Sequence, residues 1–237
     1  MAPIEQIRHV ADSHERLIAW LGTFDPVDSA TPSELPGWTV GHVMTHIARN
    51  ADSFDGILTA AASGTVRKQY PGGPDQRNAD IEAGSRRPWV ELVTDVHDAC
   101  DRLDATLASS DDAVWSFGAD QAGLIEEPLT AIPHRRFREV EIHRLDLGLG
   151  ATWRDWPSEF IDAEWPLSIA RLPDRLPDGS AVDLAVASAA NGTDDVEHVR
   201  IGPGTEPMHL AGSRTELLAW ITGRRPVGGA PELTPWP

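Results

Sequence analysis

The chain of 237 residues carries 37 acidic and 20 basic side chains, a formal net charge of −17 at neutral pH. This charge argues against a polyanionic partner such as nucleic acid or an anionic membrane surface. With 41% apolar residues, no run long enough to span a bilayer and no signal peptide at its start, we expect a soluble, cytoplasmic protein.

Apolar side chains spaced three and four residues apart predict four long helices in the first part of the chain. These helices are expected at about residues 4–21, from the cap at Thr39 through about Leu58, from about Pro88 to Leu107, and from about Glu127 to Leu149. Residues 64–87 are polar, and we interpret them as a long connecting loop. Four helices of this length predict a four-helix bundle, whose facing side chains commonly build metal sites.

We expect the bundle to end near Gly148–Gly150, because glycine can end a helix. The sequence pattern changes after this segment. The remaining chain predicts a helix at 158–171, strands at 181–188, 196–201 and 207–211, and a last helix from the Ser213 capping box to Gly223. Asn191-Gly192 predicts the hairpin turn between the first two strands. We therefore expect a bundle over 1–150 and a small α+β domain over 155–237 that covers the site of the bundle.

Two polar side chains fall on the apolar face of the predicted fourth helix. At about 100° per residue, Glu139 and His143 share an arc with apolar residues, which are Leu129, Ile132, Val140 and Leu147. A carboxylate and an imidazole are costly to desolvate there unless they are paired, hydrogen-bonded or bound to a metal. This helix alone leaves open whether the two form a structural pair or part of a metal site.

The predicted second helix carries two histidines, His42 and His46, that are one helical turn apart. His46 borders its apolar stripe, whereas His42 is rotated another ~40° toward solvent, which makes His46 the better inward-facing ligand. An alternative is that both histidines bind one metal ion, because this spacing places two imidazoles on one face of the helix. Cys100 is the single cysteine and lies in register with core residues, so thiol chemistry would need a thiol from outside.

Several different short motifs, spread along nearly the whole chain, resemble those of a known family. They are Gly37-Trp38-Thr39, His46-Ile47-Ala48, Arg77-Asn78, Arg138-Glu139-Val140, Ile142-His143, Asp146-Leu147-Gly148 and Gly223-Arg224. Together they resemble the mycothiol-dependent maleylpyruvate isomerase family, whose bundle belongs to the wider DinB-like group of metal-binding proteins. The resemblance implies a DinB-like four-helix bundle followed by a small α+β domain.

The resemblance also implies a ligand set for a zinc ion. Carried over position by position, the ligands are His46, Glu139 and His143, which agrees with the choice of His46 over His42. Three protein ligands leave one coordination position open, as in catalytic zinc sites.

Three arginines are the candidates for binding an anionic substrate or cofactor. The arginine of the family's loop falls on Arg77 and that of its C-terminal domain on Arg224, although the adjacent Arg225 leaves open which of this pair acts. Arg136 lies one turn before Glu139 on the same arc, where it could contribute to cofactor binding or neutralise the site.

The function that the resemblance implies is a cis–trans isomerisation of maleylpyruvate to fumarylpyruvate, with zinc and the cosubstrate mycothiol. The expected partners are a small thiol and an anionic electrophile, and the chain is expected to be a monomer or a weak homo-oligomer. Three alternatives remain at this point. They are a mycothiol S-transferase or thiol-exchange enzyme acting on another electrophile, a non-catalytic zinc-dependent binding protein, and a metal-free bundle with a structural Glu139–His143 pair.

Overall fold

The computed structural model describes residues 1–117, 128–187 and 196–234. The chain forms two compact units, Met1–Ala151 and Thr152–Pro237. The first unit is helical, and the second combines helices with a three-stranded sheet, which confirms the predicted fold class. Within the described ranges, none of the helices has the length and apolar content that crossing a membrane requires.

The described residues of the first unit form six α-helices. They are α1 (Ile4–Leu21), α2 (Val40–Ala62), α3 (Gly73–Gly84), α4 (Trp89–Ser109), α5 (Asp112–Ser116) and α6 (Ile132–Asp146). The helices α1 and α2 each pack against both α4 and α6, so these four form the bundle. The first predicted helix matches the observed bounds, whereas α6 starts at Ile132 after a short 3-10 turn, Leu129–Ala131. Glu127, where its start was predicted, lies outside the described residues.

The predicted loop at 64–87 instead contains α3, which carries Arg77. Its single buried residue is Ile81, so the segment has no periodic apolar stripe from which a helix could be predicted. The C-terminal end of α3 lies very close to α2. A Cβ added at Gly41 would stand 1.8 Å from the carbonyl oxygen of Ser85, and one at Gly84 would stand 2.5 Å from Thr45 Cγ2.

A buried guanidinium connects the four helices of the bundle. Arg136 on α6 is 0% exposed. Its Nε donates to His14 Nε2 on α1 at 2.9 Å, and its Nη2 faces Cys100 Sγ on α4 at 3.4 Å. On α2, its Nη1 donates to the Ile47 carbonyl at 2.9 Å and to Asn50 Oδ1 at 2.8 Å. These contacts place Arg136 in the bundle core, which differs from the predicted contact with a cofactor.

The second unit packs helices α7 (Ser158–Arg171) and α8 (Arg214–Ile221) with strands β1 (Val182–Ala187), β2 (Val196–Ile201) and β3 (Met208–Ser213). The strand order is β2-β1-β3, with β1 antiparallel to β2 and parallel to β3. The predicted capping box is present, since Ser213 Oγ accepts from the Glu216 N–H at 3.2 Å and Glu216 Oε2 accepts from the Ser213 N–H at 3.0 Å. Asn191-Gly192 lies outside the described residues.

Replacing Arg136 by methionine is expected to lower the free energy of unfolding by about 3 kcal/mol, because buried acceptors on three helices lose their donor. Urea unfolding of the intact chain measures this change. The matched control is Arg8→Met, an exposed position on α1, which should change stability by no more than about 0.5 kcal/mol. Equal unfolding midpoints for the two variants would contradict the role assigned to Arg136.

Candidate metal centre

The three predicted ligands converge on one point between two helices of the bundle. His46 on α2 places its Nε2 2.9 Å from Glu139 Oε2 and 3.0 Å from His143 Nε2, and the last two atoms are 3.4 Å apart. Ligand atoms about 2.0–2.1 Å from a tetrahedral zinc lie roughly 3.3 Å from one another. Among the residues that the structure describes, these three form the one group of histidine, cysteine and carboxylate side chains with this convergence.

The centre is buried on one side and reachable on the other. The side chain of His46 is 5% exposed, whereas those of His143 and Glu139 are 17% and 29% exposed. The ring of Trp38 packs edge-on against the ring of His46, with centroids 5.7 Å apart. A small molecule can therefore approach from the Glu139 side, whereas His46 is buried.

Electrostatics gives the three groups different protonation states. Burial would raise the pKa of Glu139, but hydrogen bonds with His143 and His46 outweigh it and hold this pKa well below its ordinary value. Burial, followed by the charge of His143, lowers the pKa of His46 to about 4. Burial would also lower the pKa of His143, but hydrogen bonds with Asp146 and Glu139 raise it. Glu139 is therefore an ionised carboxylate, and His46 is a neutral imidazole. The imidazole of His143 is more basic than an ordinary histidine.

Both histidines of the centre have a partner on the ring nitrogen that faces away from it. His143 Nδ1 lies 2.8 Å from Oδ2 of Asp146, a carboxylate that is 2% exposed. His46 Nδ1 lies 3.2 Å from Nη2 of Arg77. Asp146 therefore contacts a candidate ligand histidine directly, whereas Asn50, one turn after His46 on α2, accepts from Arg136 instead. The spacing of three residues between His143 and Asp146 on one helix is the signal that indicates this contact.

His42 lies outside the cluster of three ligands. Its Nδ1 accepts from the Thr39 backbone N–H at 3.2 Å and contacts the Thr39 hydroxyl at 2.8 Å. Its Nε2 lies 2.9 Å from Glu82 Oε2 on α3. Both ring nitrogens are therefore used in capping α2 and in contacting α3, and the two-histidine alternative finds no geometric support.

The candidate anion-binding arginines occur in both units. Besides His46, Arg77 contacts Asn78 Oδ1 at 3.1 Å, and its guanidinium lies 5.7 Å from the centroid of the Tyr70 ring. In the second unit, Arg224 donates to the carbonyl of Thr222.

The neighbour of Arg224 has partners within its own unit. Arg225 pairs with Glu216 at 3.1 Å and stands over the ring of Trp153, with 5.0 Å to the centroid. These contacts hold Arg225 against Glu216 of α8 and the ring of Trp153.

Comparisons with known proteins agree with this architecture. A family model described as the mycothiol maleylpyruvate isomerase N-terminal domain matches residues 10–148. A crystal structure of the mycothiol-dependent maleylpyruvate isomerase is 23% identical, has a TM-score of 0.80, and covers 100% of this chain and 98% of that chain. A histidine-to-alanine mutant of that enzyme has the same identity and coverage, with a TM-score of 0.79.

No curated protein sequence matches the chain. The structural likeness, at 23% identity, establishes a shared fold over the full length. The family match covers more than half of the chain and includes His46, Glu139 and His143. The chain therefore belongs to the mycothiol maleylpyruvate isomerase N-terminal domain family.

Proposed function

We propose that this protein is a cytoplasmic, zinc- and mycothiol-dependent isomerase that converts maleylpyruvate to fumarylpyruvate. The observation that carries the proposal is the convergence of His46 Nε2, Glu139 Oε2 and His143 Nε2 within 3.4 Å. Membership of the family and the full-length structural likeness support the choice of thiol and substrate.

The donor set fits a zinc ion better than it fits a cluster held together by hydrogen bonds. Each imidazole Nε2 carries at most one proton, so the three mutual contacts of His46, Glu139 and His143 cannot all be hydrogen bonds at once. A divalent cation would satisfy all three groups together. Two histidines and one carboxylate are a ligand set of catalytic zinc sites, which keep a fourth position open. His46, Glu139 and His143 would hold the ion.

The thiol of the proposed reaction comes from outside the chain. When bound, zinc supplies a positive charge that lowers the pKa of an incoming thiol, which favours the nucleophilic thiolate at neutral pH. Cys100, the single cysteine, is buried in the bundle core beside Arg136. It is therefore out of reach of a substrate, and a low-molecular-weight cosubstrate such as mycothiol fills this role.

The chemistry that we propose is a reversible addition to the double bond of maleylpyruvate. The sulfur forms a bond to one carbon of the double bond, and the displaced electron pair moves onto the conjugated carbonyl as an enolate. The former double bond is then single and rotates. The enolate electrons restore the double bond and expel the sulfur as thiolate, which leaves the trans isomer, fumarylpyruvate, and the unchanged cosubstrate.

The residues of the chain contribute binding and charge stabilisation to this reaction. A guanidinium binds a carboxylate through two parallel hydrogen bonds and stabilises negative charge that develops during the reaction. Arg77, next to His46, would bind one carboxylate of the dianion and stabilise the enolate. Arg224 is proposed as the second such residue on the basis of the family resemblance. Asp146 would orient His143 through its Nδ1.

Replacing a ligand is expected to remove both bound zinc and isomerisation. His46→Ala and Glu139→Gln should lose more zinc affinity than the roughly 10–100-fold that follows from losing an outer partner of a ligand. Metal analysis of the purified variants and an assay of fumarylpyruvate formation with and without mycothiol measure the two effects.

The matched control for the ligand variants is His42→Ala, a histidine one turn away on the same helix whose nitrogens serve Thr39 and Glu82. It should keep its zinc. Full zinc content in His46→Ala and Glu139→Gln would refute the ligand assignment. If the wild-type protein binds zinc and conjugates the thiol to other electrophiles but does not isomerise maleylpyruvate, it is an S-transferase. If it binds zinc but shows no turnover with any of these electrophiles, it is a binding protein.

Zinc affinity should depend on pH through His143. Zinc binding requires a neutral imidazole, and the raised pKa of His143 means that a proton competes for this nitrogen. Above that pKa the affinity should be constant, and below it the affinity should fall by about tenfold per pH unit. Competition with a chelator at several pH values measures this. Asp146→Asn should move the onset to lower pH; an unchanged onset would contradict the coupling of these two residues.

The two adjacent arginines of the second unit should differ in their effect on turnover. Arg224→Gln is expected to lower kcat/KM by about 10²-fold, as loss of a donor to developing charge does. Arg225→Gln, which loses the pair with Glu216, should change kcat/KM by no more than about threefold. Steady-state kinetics at saturating mycothiol separate the two. The reverse order of effects would transfer the proposed role to Arg225.

A further inference from the structure

The two histidines of the centre face opposite kinds of partner on their outer ring nitrogen. His143 Nδ1 faces the carboxylate of Asp146 at 2.8 Å, which can only accept when ionised. His46 Nδ1 faces the guanidinium of Arg77 at 3.2 Å, which can only donate. A histidine that binds metal through one nitrogen normally donates the other N–H to an acceptor. His143 meets this requirement, and His46 does not.

The contact with Arg77 determines where the ring proton of His46 lies. Because Nδ1 accepts from the guanidinium, a neutral imidazole carries its proton on Nε2. That Nε2 is 2.9 Å from Glu139 Oε2, so it can donate to the carboxylate. In this arrangement the proton occupies the nitrogen that would hold zinc.

Zinc and the Arg77–His46 hydrogen bond therefore exclude each other. If His46 Nε2 binds a metal, the ring proton moves to Nδ1 and points at an N–H group of Arg77. Two donors cannot form a hydrogen bond, and the guanidinium charge is also repelled by a nearby divalent cation. Arg77 has to leave His46 when a metal binds.

The way in which α3 is attached allows this movement. Its C-terminal half contains the buried Ile81 and is anchored on α2 through the Glu82–His42 contact and the close approach of Gly84 to Thr45. The N-terminal half, which carries Arg77, contributes no buried residue. A helix end with few buried contacts opens at low free-energy cost.

We propose that Arg77 is a latch that closes on His46 in the metal-free protein and is released by zinc, which makes its guanidinium available to a carboxylate of the substrate. The inference rests on the proposed function and adds a coupling between metal and substrate. Zinc frees the anion-binding group, and an anion that holds Arg77 away from His46 strengthens zinc binding by the same factor.

Removing the latch should tighten zinc binding, which is the opposite of what loss of a supporting residue would do. In a competition between protein and a chromophoric chelator, without any anion, Arg77→Met should bind zinc about tenfold more tightly than wild type, as loss of one charge-assisted hydrogen bond allows. Arg86→Met is the control, since Arg86 is an exposed arginine after α3 that pairs with Glu82; its zinc affinity should equal that of wild type. Equal or weaker binding by Arg77→Met would overturn the latch.

A second measurement separates the hydrogen bond from simple charge repulsion. Long-range proton–nitrogen NMR correlations of metal-free protein at alkaline pH report which ring nitrogen is protonated. Wild type should show the proton of His46 on Nε2 and that of His143 on Nδ1, and Arg77→Met should lose the Nε2 preference at His46 alone. A proton on Nδ1 of His46 in wild type would overturn the proposal.

The probe for the coupling to substrate is maleate, a dicarboxylate without the carbonyl that the reaction needs. Maleate should strengthen zinc binding by wild type and leave zinc binding by Arg77→Met unchanged; equal effects on both would overturn the coupling. A wild-type protein that binds no zinc would refute the proposed function as well. Zinc binding without any effect of Arg77 refutes the latch alone.

Discussion

The geometry of the candidate centre depends on one buried cation, the guanidinium of Arg136. Desolvating such a group costs several kcal/mol unless its donors are matched, and here acceptors on the other three bundle helices match them. Asn50, one of these acceptors, lies one turn after His46 on α2, and Arg136 lies one turn before Glu139 on α6. This hydrogen bond therefore fixes the register of the two helices that carry the candidate ligands.

The charge of the whole chain and the charge of its proposed substrate have the same sign. A net charge of −17 repels a dianion at long range and gives no electrostatic steering toward the protein. Recognition must then come from charges within a Debye length of the site, where the local field outweighs the distant one. A guanidinium beside His46 supplies such a charge, which would let an acidic protein select the proposed acidic ligand.

The sequence predicts those parts of the structure that repeat a local pattern. Periodic apolar stripes gave the bundle helices, and polar side chains on those stripes singled out Glu139 and His143, whose role as ligands stays a prediction. The helix α3 was missed because Ile81 is its one buried residue. The partners of Arg136 were missed because they lie on three other helices, and the parallel pairing of β1 with β3 likewise joins residues far apart in sequence, which a local pattern does not encode.

The burial of Cys100 has a consequence for a protein that is proposed to work with a mobile thiol. Exposed cysteines exchange with oxidised low-molecular-weight thiols and become blocked as mixed disulfides, and exchange requires that the attacking and attacked sulfurs meet. Cys100 is 0% exposed and sits against Arg136 in the bundle core. The chain thus offers no accessible thiol of its own, so oxidation of the cellular thiol pool cannot inactivate it by forming a mixed disulfide with a cysteine.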